Sequence, residues 1–405
     1  MKPTVPHRHP STPRRAPGLR PLAVLLGLGG PSREQWNVLG ESLVVGDAAM
    51  DELVEWMYRE GLAGTRALFD RALREGIAAV PEAPEPLRDF FTEVERPPSW
   101  LDYGAIARAE RAFQRGGVDG IYIARDVSFL GGYLASGFNQ TLIRTGALEK
   151  GPAKRFAETL QWALDVTSDG GMLPRGVGYR STIQVRLIHA LVRRHVAALP
   201  DWRAEEWGLP INQTDMAATL VGALIAPFVG AMSMGVVVSR RELAAAAHLT
   251  RYVGWLIGVD EPLLPKDFRD AVRILYHSLS AITNPDETSK QLALPMADDP
   301  LTWHYSVLRG LRGRIARAQH LSIAGTFLGP AAMVRLGLPP QWRPWYPMLR
   351  VPVNLVRSAI TWTVPGGRER SARRGRRVQA AFLQTLLGDH PVVIGASAQH
   401  IDRAA

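Results

Sequence analysis

A long uncharged segment, residues 216–239, constrains the fold more than any other feature of this sequence. It is long enough to cross a bilayer, which takes about 20 apolar residues. However, it contains Gly222, Pro227 and Gly230, it follows directly on Asp215, and it has no aromatic residues at its ends to anchor it at a membrane interface. We therefore predict that the segment is the central core helix of a globular protein, kinked at Pro227, rather than a membrane span.

Helical periodicity dominates the chain on both sides of this segment. Apolar residues recur every three or four positions, which is typical of amphipathic α-helices, whereas strand-like alternation is scarce and no internal repeat is evident. We therefore predict an all-α, single-domain, multi-helix bundle. The periodicity predicts further helices near residues 50–58, 63–74, 84–94, 103–113, 121–134, 139–145, 151–167, 179–197, 241–257, 266–280, 286–294, 306–328, 353–362 and 370–387.

The positive charge of the chain is unevenly distributed. Its formal charge is +10, and much of the excess lies in the Pro/Arg-rich residues 1–44 and in the run from Arg368 to Arg377. We predict that the first segment is a disordered basic tail and that the second is a solvated helix face. Because no nucleic-acid recognition motif accompanies the charge, we expect no nucleic-acid partner.

The chain contains no cysteine, which excludes disulfides, thiolate metal sites and covalent c-type haem attachment. Near the N-terminus, Arg14-Arg15 and the apolar residues 22–28 have the outline of a twin-arginine leader. Arg20 interrupts that outline, and no small-residue cleavage site follows before Pro31. We expect a cytoplasmic protein, with export through this leader as the alternative.

Among the ten histidines, His189 has the most informative surroundings. In a helix it shares a face with Val185 and Val192, while Arg186 and Arg193 flank that face. On spacing alone, a core histidine hydrogen-bonded to a neighbouring helix is favoured over a cofactor ligand. The ligand interpretation stays open because a haem iron needs only one protein ligand in a largely apolar pocket.

A second polar cluster precedes this histidine in the segment 154–159. Arg155 and Thr159 are four residues apart, so they share a helical face, and Glu158 lies beside them. Two helices that each carry polar groups among apolar ones are what an internal cofactor site requires. No phosphate-binding glycine loop, nucleophile elbow or paired-histidine zinc motif is present to indicate another chemistry.

Taken together, several sequence blocks resemble the catalytic domain of the MpaB and latex-clearing-protein (rubber oxygenase) family. They are Pro97-Pro98-Ser99-Trp100, Leu142 with Thr145-Gly146-Ala147-Leu148, Arg155-x-x-x-Thr159, Gly176-x-Gly178, Val185-Arg186-x-x-His189-Ala190-x-x-Arg193, Pro210 to Met216 with Thr219, and Trp255 to Pro265. The similarity covers about residues 45–345, and residues 346–405 would then be C-terminal helices packed on that domain, with a frayed end.

The resemblance implies a bundle that encloses a pocket for non-covalent haem b, with dioxygen and a hydrophobic small-molecule or polymeric alkene as substrates. By motif position His189 would be the axial ligand of the iron. The remaining cofactor-binding residues implied are Arg155, Thr159, Arg186 and Arg193, and the catalytic residues implied are Arg155, Glu158 and Thr159. The reaction implied is addition of dioxygen across a carbon–carbon double bond with cleavage to carbonyl products.

One position departs from the rubber oxygenases of the family. They typically have a lysine before the threonine, whereas this chain has Glu158, which can accept a proton but cannot act as an ammonium donor. A haem protein that catalyses hydroxylation, dehydrogenation or peroxidation is therefore an alternative hypothesis.

A non-catalytic protein that binds lipid or membrane surfaces is a further alternative. It is suggested by the aromatic and basic residues at 341–346, by Trp362 and by the run from Arg368 to Arg377. Packing of these aromatic side chains on the core is the simpler explanation. The sequence does not indicate an oligomeric state.

Overall fold

The computed structural model describes residues 4–14, 19–146, 148, 151–341, 343–388, 390 and 394. Within these residues the regular secondary structure is helical, and one isolated β-bridge joins Ala135 to Asn284. The predicted all-α fold is therefore confirmed.

The helices agree with the periodicity of the sequence to within a few residues at most ends. Those of the first part are α1 (Arg20–Leu25), α2 (Arg33–Glu41), α3 (Ala48–Glu60), α4 (Leu62–Glu75), α5 (Glu85–Glu95), α6 (Tyr103–Arg115), α7 (Gly117–Ile123, continued by a π-helical turn, Ala124–Phe129, and by Leu130–Gly132) and α8 (Ser136–Arg144). Those of the second part are α9 (Pro152–Val166), α10 (Val177–Ala197), α11 (Ala204–Trp207), α12 (Gln213–Ser233), α13 (Arg240–Leu256), α14 (Phe268–Ile282), α15 (Glu287–Asp298), α16 (Arg309–Arg335), α17 (Trp345–Thr363) and α18 (Gly367–Leu387).

Helix α12 forms the centre of the bundle, as predicted for the uncharged segment. It packs on α7, α13 and α14, and Leu220 and Leu224 belong to the largest apolar cluster of the core. Pro227 lies inside the helix, six residues before its end. By length and composition α12 is the one helix in the described part of the chain that could span a membrane, but 61% of its apolar window is buried by protein. We therefore describe it as a core helix.

The N-terminal segment differs from the predicted disordered tail. Residues 20–25 and 33–41 are helical, and Arg8 is buried in an ion pair with Asp215 at the start of α12, with Nη2 2.7 Å from Oδ2. The ring of His9 packs on Trp36, 4.4 Å between centroids. Its proline- and arginine-rich composition suggested disorder. The segment is instead ordered by contacts with residues far along the chain, such as Asp215, and composition does not reveal such contacts. Arg15 of the twin-arginine motif is outside the described residues.

The π-helical turn in α7 places two charged residues in the interior. Arg125 and Asp126 are fully buried, and the arginine Nη1 donates to Asp126 Oδ1 at 2.6 Å while Nη2 pairs with Asp299. The second carboxylate oxygen of Asp126 lies 2.6 Å from Nδ1 of His320 in α16. We call these four residues the π-turn ion cluster. It joins α7 to α16 and to the 3₁₀ turn at 299–301.

The C-terminal helices pack on the rest of the fold. α18 contacts α6, α7 and α9, and it buries Ala372, Phe382 and Leu386. Gly375 sits against Gln114, where a Cβ atom would come within 1.9 Å of the backbone oxygen. Helix α17 begins at Trp345, eight residues earlier than the periodicity predicted. The predicted frayed end falls on residues outside the described ones.

Candidate functional site

Helices α9 and α10 carry the residues that the sequence singled out, and a glycine-rich loop packs the two helices together. The loop follows Thr167, and Gly178 in the first turn of α10 lies so close to α9 that a Cβ atom would come within 2.7 Å of Asp165 O. Only glycine permits this approach. Trp162 in α9 also donates its indole N–H to Thr182 in α10, at 3.1 Å. The two helices are therefore in close and specific contact.

His189 lies in the middle of α10, deep in the fold, yet it retains some accessible surface. Its Nδ1 atom is buried without a hydrogen-bond partner, so Nε2 is the ring nitrogen that can reach a bound group. Burial, followed by the positive charge of Arg193, lowers the pKa of His189 to about 4. The imidazole is therefore neutral at physiological pH and keeps a lone pair for a metal ion. It is not the hydrogen-bonded core histidine that spacing alone favoured.

Arg155 lies on α9 with part of its surface accessible and its Nη1 atom buried without a partner. Burial lowers the pKa of Arg155, while the nearby Tyr133 and Glu158 act in the opposite direction. In the described part of the chain its guanidinium group makes no ion pair within 4 Å. An arginine in this state is expected to bind an anionic group.

Thr159 and Glu158 follow on the same helix. Thr159 is partly accessible, and its hydroxyl donates back to the carbonyl oxygen of Arg155 at 3.3 Å. Glu158 is buried and lies close enough to Arg155 to stabilise its positive charge. The three residues to which the resemblance assigns catalytic roles thus lie within about one turn of α9, and those roles stay predictions.

Arg186 and Arg193 have protein partners, in contrast to Arg155. Arg186 forms a two-point ion pair with Asp47 (2.5 and 2.7 Å), and Arg193 pairs with Asp51 and donates to the carbonyl oxygen of Ile211 at 3.0 Å. The ion pairs with Asp47 and Asp51 attach α10 to the start of α3. The two arginines hold the helix that carries His189, and their direct contact with a cofactor stays a prediction.

Asp47 and Asp51 are the residues that the sequence analysis missed. Asp47 also caps α3 by accepting from the backbone N–H of Met50. Both aspartates lie about 140 residues before their arginine partners, with separations of 139 and 142. The only local signal was the cap pattern at the start of α3, which indicates a helix and not an ion pair.

Thr219 on α12 indicates open space beside the central helix. It is exposed although its neighbours Ala218 and Leu220 are 5% and 3% exposed, and a Cβ atom at Gly222, one turn on, would meet no atom within 4 Å. Arg193 Nη2 contacts Met216 Sδ at 3.5 Å, which joins the end of α10 to the start of α12.

Other metal chemistry has no candidate in the described ranges. No group of three or more histidine, aspartate or glutamate side chains there is arranged to hold an ion. A site with one histidine, one arginine lacking an acceptor and an accessible threonine fits a cofactor that brings its own metal and its own carboxylates.

Comparison with known proteins identifies similar chains. Residues 121–364 match the family model described as ER-bound oxygenase mpaB/B'/Rubber oxygenase, catalytic domain. That range includes both helices of the site. The rubber oxygenase of Streptomyces sp. (strain K30) is 28% identical over 205 residues, which is 48% of this chain and 47% of the relative. The chain thus spans about half the length of this relative in the alignment.

A solved structure has the same fold over most of the chain. The structure of latex clearing protein in the closed state superposes with a TM-score of 0.61 at 21% identity, covering 87% of this chain and 92% of that one. The superposition extends well beyond the residues that sequence similarity connects. It therefore includes residues outside the matched domain.

Proposed function

This chain belongs to the family of the ER-bound oxygenases mpaB/B' and rubber oxygenase, and from that premise we propose that it is a haem b-dependent oxygenase that cleaves a hydrophobic alkene. The observation that supports the proposal most is His189, a neutral histidine deep in the fold whose Nδ1 has no hydrogen-bond partner, within the matched domain. A bound haem supplies the iron at which dioxygen is activated.

The residues at the site fit a haem in two respects. His189 offers one neutral nitrogen, which is the single protein ligand that a haem iron requires. Arg155 offers a guanidinium group whose buried Nη1 has no acceptor, which suits a propionate carboxylate.

Around a bound haem, the residues of this chain would orient His189, exclude water from the substrate and keep Arg155 charged. The Asp47–Arg186 and Asp51–Arg193 pairs fix the rotation of α10 and thereby the direction of His189. The apolar core around α10 and α12 excludes water and favours an alkene over a polar substrate. Glu158 can accept a proton from a substrate or hold Arg155 in its charged form.

The overall reaction proposed is R₂C=CR₂ + O₂ → 2 R₂C=O, in which both oxygen atoms of dioxygen enter the two carbonyl products and no external reductant is consumed. Glu158 in the position of a lysine favours one second candidate, in which the same haem supports hydroxylation of a lipid-like substrate, with an external two-electron reductant and release of water, or its dehydrogenation, with dioxygen reduced to hydrogen peroxide. The two candidates differ in the fate of the oxygen atoms.

The first experiment tests the cofactor. Protein produced with haem supplementation should show a Soret band, and His189→Ala should lose it while remaining folded by circular dichroism. His195→Ala is the matched control because it lies on the same helix six residues on. A folded wild-type chain without a Soret band, or a His189→Ala variant that keeps its full haem content, contradicts the proposal.

The second experiment separates the two candidate reactions. The haem-loaded protein is incubated with a polyisoprene oligomer under ¹⁸O₂, and the products are analysed by mass spectrometry. Label in both carbonyl fragments supports cleavage, whereas a singly labelled alcohol or an unlabelled dehydrogenated product supports the second candidate. Glu158→Lys, which introduces the residue typical of rubber oxygenases, should raise polyisoprene turnover if the glutamate is what limits it.

A further inference from the structure

Helix α17 presents its polar side to the protein and its apolar side to the outside. Leu349, Val353, Val356 and Ile360 follow one another at spacings of four, three and four, and each is between 46% and 61% exposed. Met348, adjacent to this stripe, is 67% exposed. A helix on the surface of a soluble protein normally buries such a stripe against the core.

Specific hydrogen bonds fix this orientation of α17. Arg350 forms a two-point ion pair with the buried Asp119 (2.8 and 2.6 Å), and Asn354 donates to Asp119 at 2.8 Å and to Met234 O at 2.9 Å. One turn further, Ser358 accepts from the backbone N–H of Val237 at 3.0 Å. Turning the apolar stripe inwards would break all of these bonds, so the outward stripe is built into the fold.

The surroundings of the stripe are strongly basic. Residues 343–388 contain nine arginines and one acidic residue, Glu369, a net charge of +8 in a chain whose total is +10. A groove of about 570 Å³ on the outer face of α18 is lined by Arg370, Arg373, Arg374, Arg377, Val378 and Ala381. None of these four arginines has a carboxylate within 4 Å in the described part of the chain.

The basic face and the apolar stripe adjoin each other. Helices α17 and α18 are in contact, and burial and the positive charges of Arg350 and Arg374 lower the pKa of Arg357 on α17. Arg368 on α18 lies over the ring of Trp362 on α17, 5.3 Å from its centroid. Arginines, a tryptophan and exposed aliphatic side chains therefore form one continuous surface.

We propose that this surface is a peripheral membrane-binding site, in which the apolar stripe of α17 enters the headgroup region of an anionic bilayer and the α18 arginines contact lipid phosphates. Exposed apolar area flanked by unpaired cations is the combination that binds anionic lipid, because insertion and charge attraction add. Acidic protein partners would match the charge but would not require an aliphatic stripe. The proposal does not rest on the catalytic proposal above.

The structure changes which residues should matter for this binding. The sequence pointed to the aromatic residues at 341–346, but Tyr346 packs inwards against Tyr122, with ring centroids 6.0 Å apart. The residues that face outwards are aliphatic. Substitutions for a test therefore belong on Val356 and Ile360, and on Arg373 and Arg377 for the charge.

The test is flotation of the full-length protein with vesicles of phosphatidylcholine alone and of phosphatidylcholine with about one third phosphatidylglycerol. The wild type should float with the anionic vesicles, less so at high salt, and only weakly with the neutral ones. Arg373→Gln with Arg377→Gln should weaken anionic binding roughly fivefold for each arginine, about 25-fold together.

The apolar contribution is tested by Val356→Glu with Ile360→Glu, which should abolish flotation with both vesicles. Val45→Glu is the control, since Val45 is an exposed valine at the opposite end of α12 from the segment that contacts α17. Because all these positions are exposed, the variants should keep the melting temperature of the wild type, which a thermal melt verifies.

Two results overturn the proposal. One is flotation that is absent in the wild type or unchanged in both double variants. The other is a concentration-dependent dimer in sedimentation velocity that Val356→Glu with Ile360→Glu disrupts while the wild type ignores vesicles. In that case the stripe is an interface between two copies of the chain.

Discussion

Two regions of the molecule each contain one histidine and one arginine in the interior. The two regions differ in whether these side chains have bonded partners. In the π-turn ion cluster, His320 and Arg125 are bonded to Asp126, and Arg125 also pairs with Asp299. On α9 and α10, His189 and Arg155 form no hydrogen bond through their side chains in the described part of the chain. Burial opposes the charge of both arginines, but the two aspartates outweigh it and raise the pKa of Arg125, whereas the pKa of Arg155 is lowered.

If the proposed function is correct, the difference separates groups that stabilise the fold from groups that bind the cofactor. A buried polar group without a partner costs about 1–3 kcal/mol, and more if it is charged, so a fold retains such a group at a cost to its own stability. In the ion cluster each of the four residues has at least one bonded partner and the centre has no accessible surface, although Arg125 Nε, His320 Nε2 and Asp299 Oδ2 have no hydrogen bond. The α9–α10 site is unsatisfied and partly accessible, as expected for residues whose partner is a bound cofactor.

Histidine replacement should show the largest contrast. His189→Ala should lower the haem content at least tenfold, because it removes the proposed axial ligand. His320→Ala should keep the haem-to-protein ratio of the wild type and lower the melting temperature, since it removes a partner of Asp126. The pyridine haemochrome assay and a thermal melt measure both. Equal haem loss in the two variants would remove the distinction between the regions.

Breaking the ion cluster should have the next largest effect, and on stability alone. Asp126→Ala leaves Arg125 with one carboxylate in a fully buried position, so unfolding free energy should fall by about 3–5 kcal/mol. Asp70→Ala is the control: it breaks a partly exposed pair with Arg66, 3.2 Å apart, and should cost about 1 kcal/mol or less. Urea denaturation measures both. If Asp126→Ala lowers the unfolding free energy no more than Asp70→Ala does, the cluster does not stabilise the fold.

Arg155→Met should show the trade-off between ligand binding and stability. Removing a buried cation without an acceptor should leave the haem-free chain as stable as the wild type or more so, and should weaken haem binding about tenfold or more through loss of a charge-assisted hydrogen bond. Denaturation of the haem-free chain and haem titration measure these quantities. A destabilised chain with normal haem affinity would mean that Arg155 has a structural role like that of Arg125.

The pH dependence of stability should show a smaller effect. Burial lowers the pKa of His189 to about 4, against about 6.5 in an unfolded chain, so below pH 6.5 the unfolded state binds more protons. The stability associated with the neutral imidazole is therefore present above pH 6.5 and is lost as pH falls towards 4. Between pH 7.5 and 5 the loss is about 2 kcal/mol.

His189→Gln isolates this contribution, because the other buried histidines with lowered pKa, including His320, remain in the variant. The unfolding free energy of the haem-free wild type should fall relative to that of His189→Gln as pH decreases over this range. Denaturation curves at pH 7.5, 6 and 5 provide the comparison. A constant difference between the two proteins at all three values would contradict the lowered pKa.

Much of the fold followed from local patterns in the sequence. The helices that became α3 to α6, α9, α10 and α13 to α15 were predicted to within a few residues, and the uncharged segment was predicted as the core helix that α12 is. The two helices that carry the candidate site were also predicted, whereas the roles of Arg155, Glu158 and Thr159 stay predictions. Helices α1 and α2 were not predicted, because the proline- and arginine-rich composition of residues 1–44 indicated disorder.

The sequence by itself determined the helical architecture, since the period of apolar residues is a local property that each segment carries alone. It also marked His189 and Arg155. Only the tertiary structure decided which charged groups have partners: Asp47 and Arg186 are 139 residues apart, and Arg8 and Asp215 are 207 apart. Such pairs form where packing places helices together, and packing also leaves His189 without a partner for Nδ1 while it gives His320 one. This difference in hydrogen bonding distinguishes the candidate site from the core.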